Sequence, residues 1–307
     1  MNLLITGGFG HIGSYVIANI NRIKKIKKIY IIDNIYNNKP NSLFNLKKTK
    51  IKIHLFNKDL SQKNSLRSFP KVNIVLHLAS MTDAEKSISL EKKVHDNNLG
   101  IFNNVVNYCE NSSAKLIHIS STSVYGQLSG YLDESLKQLK PQTPYAKIKL
   151  EEEEILKRVK KFNYLSFRFG TIAGISSGMR FHTAVNKFCI SAVLNQPIPV
   201  WTSALNQFRP YLSLEDAFKA IKFVIENNNF DNKIYNVLTS NLTVKNIVEM
   251  IKKYKKNAKI NYVKSKIINQ LSYKINDSKF KKDFFKLKGN IQNDVKDTIQ
   301  LFNNINK

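Results

Sequence analysis

An α/β protein built on a doubly wound parallel sheet, with a smaller lobe after it, is predicted by three features of this 307-residue chain. The apolar run Leu3-Leu4-Ile5 leads directly into glycines spaced three apart, Gly7, Gly10 and Gly13. Short apolar runs then alternate with longer stretches of helical spacing up to about Gly170. Beyond that residue the rhythm breaks into shorter strands, turns and helices.

The first unit is a strand, a glycine turn and a helix over Ser14 to Ile23. Missing side chains let a phosphate approach the backbone, and a helix N-terminus offers free N–H groups and a partial positive charge. Asp33 closes the next apolar run, Ile29 to Ile32, where a dinucleotide fold places the carboxylate that takes the ribose hydroxyls. A polar loop over Asn34 to Asn41 follows, and then an alternating strand from Ile51 to Phe56 that runs out to Asp59-Leu60. Ser61 is expected to cap a short helix ending before Pro70. Val72 to Leu78 is nearly all apolar, as a strand buried on both faces requires, and ends in Ala79-Ser80. A long helix over about Leu90 to Glu110 precedes a strand from Lys115 to Ile119, which finishes in Ser120 to Gly126. Pro141-Gln142-Thr143-Pro144 punctuates the start of a helix from Tyr145 to Val159, and Leu165 to Phe169 is a sixth strand. In the second half, helices are expected over Ala184 to Asn195, Leu214 to Asn227, Val244 to Lys255 and near the end, with strands around Ile198 to Trp201 and Phe208 to Leu212. Residues 1–170 thus read as the nucleotide-binding part. Residues 171–307 read as an intertwined substrate lobe over the carboxyl ends of the strands.

Composition narrows the function classes. A hydrophobic content of 42% with few Gly and Pro describes a globular, enzyme-sized chain. No apolar run approaches the roughly 18–20 residues that cross a bilayer, and Met1-Asn2 enters the first strand without a signal peptide, so a cytoplasmic location is expected. Cys109 and Cys189 form no CxxC or Cys/His cluster and read as small core hydrophobes, with no metal site. The net charge of +27 raises nucleic acid as a partner. Its lysines, however, are spread over the whole chain beside abundant Asn and Ile, as base composition alone would produce, so nucleic acid is not the expected main partner.

Tyr145 and Lys149 stand four apart at a helix start, so their side chains share a face. An ammonium beside a phenol favours the phenolate, which makes the pair a candidate general base. The same spacing recurs at Tyr262 and Lys266, without a glycine loop or a hydroxyl-rich strand end, and reads there as solvated surface. His11 reads as a side chain beside the phosphates, His77 and His118 as core or strand-end residues, and His54 as pointing to solvent. Glu151 to Glu154 read as the wet face of the Tyr145 helix, and Trp201 beside Pro199 reads as packing, with stacking on a nucleobase as the alternative.

Taken in series, these motifs resemble an extended short-chain dehydrogenase/reductase of the NAD-dependent sugar-nucleotide epimerase/dehydratase type. The resemblance implies a Rossmann-like sheet and NAD as cofactor. It assigns the cofactor to Gly7, Phe9, Gly10, His11, Ile12 and Gly13 of the loop, Asp33-Asn34, Asp59-Leu60, Leu78-Ala79-Ser80 after His77, and Asn97 of an NxxG helix motif that ends at Gly100. Ser121 falls on the catalytic Ser/Thr position and Tyr145/Lys149 on YxxxK, where the pair also touches the cofactor. Ser121, Thr171 and Arg209 fall on substrate positions. Arg209-Pro210-Tyr211 with Asp216 resembles the segment whose arginine grips a diphosphate through its fork of donors.

Departures from the pattern shape the expectation. Dehydratases of the family carry an acid pair directly after the catalytic Ser/Thr, where this chain has Thr122 and Ser123. Thr171 replaces an asparagine of many epimerases, Thr202-Ser203-Ala204 a glycine-rich turn, and Pro210 an acid. The expected activity is epimerisation of a nucleotide sugar through transient oxidation, and homodimerisation through the two long helices is implied by the resemblance. The alternatives are an NAD(P)-dependent nucleotide-sugar oxidoreductase and, in another class, a non-catalytic RNA-binding protein on the same fold.

Overall fold

The computed structural model describes residues 1–36, 43, 49–264 and 272–303. Strand β1 (Asn2–Thr6) is central because Leu3, Leu4 and Ile5 are all fully buried, so neither face meets water. On one side lie β2 (Lys28–Asp33) and β3 (Lys52–Asn57). On the other lie β4 (Ile74–His77), β5 (Lys115–Ser121) and, past a short β6 (Gly130–Leu132) outside this sheet, β7 (Tyr164–Phe169). Every pairing among these sheet strands is parallel.

Side chains alternate across a strand, so the sheet feeds two cores. Leu3, Ile5, Ile29 and Ile31 pack with α1 (His11–Ala18), while Leu4, Tyr30, Ile32 and Val75 face the opposite side. There, after the single-turn α2 (Lys86–Ser89), run α3 (Glu91–Ser112) and α4 (Pro144–Arg158). Each large apolar side chain so covered contributes about 1.5–3 kcal/mol. Both cysteines are buried and unbridged.

The lobe begins with β8 (Thr171–Ala173), α5 (Ala184–Val193), β9 (Ile198–Trp201) and β10 (Phe208–Ser213). The chain then returns to the main sheet. Helix α6 (Leu214–Asn227) joins α1 on the first face, and β11 (Ile234–Val237) adds an edge strand beside β7. The described sheet therefore has seven strands in the order β11-β7-β5-β4-β1-β2-β3. Residues 240–303 contribute β12 (Ser240–Thr243), α7 (Val244–Tyr254), β13 (Ile260–Val263), β14 (Tyr273–Ile275), α8 (Ser278–Asp283) and α9 (Ile291–Asn303). A third core, from α5, α7 and α9, fills the lobe.

Several expectations are corrected. No helix follows Ser61. Asp59 Oδ1 takes both the Ser61 N–H (2.9 Å) and its hydroxyl (2.8 Å), Asn64 adopts φ +59°, and residues 60–68 form successive turns. The first helix ends at Ala18, followed by a 3₁₀ turn over Ile20–Arg22. Strand β11 goes unread in the sequence because four residues containing Asn236 carry too short a pattern. Lys266, and residues 37–41 of the loop after Asp33, lie outside the described residues. Among the described residues no helix is long and apolar enough to cross a membrane, and no group of His, Cys, Asp and Glu could hold a metal ion.

Candidate active site

The cradle starts where β1 ends. Gly7 has φ +68°, and a Cβ there would lie 2.7 Å from the backbone of Ala79, so only glycine lets the ends of β1 and β4 meet. A Cβ on Gly13 would lie 2.6 Å from the Gly7 carbonyl, which lets α1 start directly behind the loop. Asp33 Oδ2 accepts the Phe9 N–H at 3.0 Å and Oδ1 that of Ile35 at 2.9 Å, which fixes the carboxylate beside the loop. Phe9 itself is a core ring. Thr6 Oγ1 accepts the N–H groups of Leu78 (3.1 Å) and Ala79 (3.2 Å) and lies 2.8 Å from His77 Nδ1. With two N–H groups entering, the hydroxyl hydrogen goes to Nδ1, so His77 carries its proton on Nε2. Burial pushes His77 down to about 3, so it is neutral.

On the neighbouring strand, β5 ends in Ser121, whose Oγ accepts from the Ser123 N–H (3.2 Å) and lies 2.9 Å from the Ser123 hydroxyl. Thr143 caps α4 by accepting the Ala146 N–H at 3.2 Å, with Pro144 in the first turn, which sets where Tyr145 emerges. One turn on, Lys149 Nζ stands 5.9 Å from the Tyr145 ring centre. Burial drives the Tyr145 phenol above its ordinary value. Lys149 pulls it back, Glu152 pushes it up, and Arg180 and a hydrogen bond with Ser121 pull it down.

Glu152 and Glu153 overturn the reading of Glu151 to Glu154 as a wet face, since both are fully buried. Lys149 Nζ donates to Glu152 Oε2 at 2.7 Å, and His118 Nε2 lies 2.9 Å from the same oxygen. Glu153 takes Arg168 Nε (2.9 Å), its terminal nitrogen (2.6 Å) and the Ser120 hydroxyl (2.5 Å). Arg168 also donates to the Tyr125 hydroxyl, which donates to Asn236 on β11. The signal was available. Four consecutive helical residues sweep roughly 300° of arc, so a run of four acids cannot all face water on a helix packed against a sheet.

These elements enclose a cleft of about 500 Å³ at the carboxyl ends of the strands. Gly7, Gly10, His11, Ile12, Gly13, Leu78 and Ser80 line its sheet side, Ser121, Tyr145 and Lys149 its centre, and Thr171 and Arg209 its lobe side. Phe9, Asp33, Asn34, Asp59, Leu60, Ala79 and Asn97 do not line it. Asp59 is tied into its own turn and Leu60 is core. In the NxxG segment, Asn98 grips the backbone of Met81, donating to its carbonyl (3.0 Å) and accepting its N–H (2.8 Å), while Asn97 only donates to Asn98. His11 is tethered, with Nε2 2.8 Å from the Gly174 carbonyl. Trp201 lines the cleft and also packs on the lobe core.

Sequence reasoning missed Arg180. Its segment folds back over the glycine loop, where Ser14 Oγ accepts the Gly178 N–H (2.9 Å) and the Ser176 hydroxyl donates to the His11 carbonyl (2.8 Å). A terminal guanidinium nitrogen lies 3.4 Å from where a Gly10 Cβ would be, within the electrostatic reach of Tyr145, Asp33 and Asp83. An arginine in an irregular segment has no periodicity to announce it.

The chain belongs to the NAD dependent epimerase/dehydratase family, whose model matches residues 3–237. It is 24% identical over 271 residues to the ADP-L-glycero-D-manno-heptose-6-epimerase of Brachyspira hyodysenteriae, covering 85% of this chain and 83% of that one. It is 26% identical over 258 residues to a putative UDP-glucose 4-epimerase of Methanocaldococcus jannaschii, covering 81% of each. Its fold matches that of the UDP-glucuronic acid 4-epimerase from Bacillus cereus, solved with UDP-glucuronic acid and NAD, at a TM-score of 0.88 and 19% identity over 99% of this chain and 100% of that one.

Proposed function

We propose that the protein is an NAD-dependent epimerase of a nucleotide sugar, acting by transient oxidation to a keto sugar. One observation carries the reading: Ser121, Tyr145 and Lys149 line the same cleft as the glycine loop, with Lys149 Nζ 5.9 Å from the Tyr145 ring. The residues present fit NAD. Side-chain space over Gly7 and Gly13 is closed by backbone, and the Asp33 carboxylate is fixed at the loop with lone pairs for ribose hydroxyls. Bound NAD supplies a hydride acceptor and donor and a positive ring that lowers the Tyr145 pKa.

Tyr145 removes the proton from the reacting sugar hydroxyl as a phenolate and later returns it. Lys149 holds the nicotinamide ribose and stabilises that phenolate, and Ser121 hydrogen-bonds the reacting oxygen. Arg209 and Thr171, on the lobe side, receive the diphosphate and sugar, and Trp201 the nucleobase. Epimerisation is favoured over dehydration because the acid-pair positions hold hydroxyls with structural work. Thr122 donates to the Phe169 carbonyl (3.3 Å) and Ser123 to Ser121. Pairing of two copies through α3 and α4 belongs to the same reading, as does a cytoplasmic location.

Tyr145→Phe is expected to keep NAD affinity and to cost roughly 10²–10⁴-fold in turnover, measured on a panel of UDP-, GDP-, CDP- and dTDP-sugars by NMR. An unchanged rate overturns the assignment. Steep salt-dependent affinity for RNA without sugar turnover would replace it with the binding-protein reading.

A further inference from the structure

Beneath the Tyr145/Lys149 pair lies a buried acid that the reaction as described leaves unused. Glu152 is fully buried, one turn along α4, with Oε2 2.7 Å from Lys149 Nζ and 2.9 Å from His118 Nε2. Its other oxygen, Oε1, has no hydrogen-bond partner. His118 is itself fixed from behind by Ser166 Oγ at 2.8 Å from Nδ1, so the serine hydroxyl donates to Nδ1 and the ring donates Nε2–H to the acid.

We infer that Glu152, held by His118, is a positioning residue that anchors the Lys149 ammonium below Tyr145 and offsets its charge, so that Tyr145 becomes a base at higher pH than Lys149 alone would allow. This rests on the reading of Tyr145 and Lys149 as catalytic groups. The physical reason is short-range. An uncompensated ammonium in a buried site stabilises a nearby phenolate, and a carboxylate against that ammonium cancels part of the field while keeping the lysine protonated. The other charged or titratable groups facing the pair act around this core. Glu153 on the same helix is already matched by Arg168, His77 on β4 is neutral, and Arg180, over the glycine loop, acts on Tyr145 while also feeling Asp33 and Asp83. Burial alone would raise Glu152, yet Lys149 and His118 hold it down at about 2, so the carboxylate is charged throughout the working range. The same contacts lift Lys149 above its ordinary value against the pull of burial.

The test compares Glu152→Gln and Glu152→Asp with the parent, each saturated with NAD⁺. Tyr145 ionisation is followed by phenolate absorbance after subtracting the matching Tyr145→Phe protein, and turnover is followed with UDP-glucose as the probe. Glu152→Gln is expected to lower the Tyr145 midpoint by about one pH unit and to carry the acid limb of the turnover profile down with it. Glu152→Asp keeps the charge, and so keeps the midpoint near the parent's while lowering kcat by shifting Lys149. A purely structural role would instead lower the melting temperature in both variants and leave the midpoint in place. A midpoint in Glu152→Gln that stays or rises overturns the inference. If that variant does not fold, ¹⁵N NMR of the parent decides. A neutral Nε2–H His118 below the ordinary histidine pKa supports the pair, and an Nδ1–H or doubly protonated ring overturns it. The spectral reading does not depend on turnover, so a Tyr145→Phe protein that still turns over defeats the functional reading without touching this result.

Discussion

Two pairs of acids withdrawn from bulk water, Glu152 with Glu153 and Asp216 with Asp294, meet different partners. Under α4, Glu152 and Glu153 are fully buried and each meets a cation, Lys149 at 2.7 Å and Arg168 at 2.6 Å. At the start of α6, Asp216 is equally buried but among the described residues is held by neutral donors, the Gly289 N–H and the Thr239 hydroxyl. Its neighbour Asp294 takes one hydroxyl, from Ser213 at 3.1 Å, and its Oδ2 has no partner. Burial pushes Asp294 up to about 7, helped by Asp216, whereas Glu152 is held at about 2. Burial costs both carboxyls. A cation within hydrogen-bond reach decides whether the proton stays.

The largest effect should come from breaking a matched pair. Arg168→Met leaves the buried Glu153 without its cation and should cost about 3–5 kcal/mol in denaturant unfolding. A loss under 1 kcal/mol would mean that the pair contributes little beyond its own desolvation. Next comes the acid limb of stability. His77 and His118 are buried and held below their ordinary value, so the unfolded chain takes up protons below about pH 6.5 that the folded chain refuses, and stability falls with pH. Asp294 works the other way, because the folded chain binds its proton first as pH drops through about 7. His77 and Asp294 nearly offset each other over this range, so the downward shift of His118 tips the balance to a net loss of stability from about pH 6.5 to 5, to be read from urea midpoints. The last effect sharpens the contrast. Asp294→Asn should gain stability at about pH 8, lose most of that gain by about pH 5, and so steepen the acid limb; equal effects at both pH values would show that its charge is not the cause.

Much of the site was legible because it is local. The glycine turn after β1, the hydroxyl residues ending β5, the helix start after Pro141-Gln142-Thr143-Pro144 and the Tyr145/Lys149 spacing are all written within a few residues, and each arises where it was expected. The burial of Glu152 and Glu153 was misread because spacing tells which side chains share a face, and not what that face meets. Asn98 rather than Asn97 grips Met81 for the same reason, since neighbouring asparagines on a helix differ only in what lies opposite them.

By itself, then, the order of residues determined the alternation of strands and helices, the cradle and the Tyr–Lys pair, since backbone sterics, capping and periodicity act over one or two turns of chain. Only the folded molecule brought β11 to the edge of the sheet, laid Arg180 over the glycine loop and set His118 against Glu152. Those contacts join residues far apart in sequence, and whether a charge is matched depends on which strand or segment packing delivers to its side.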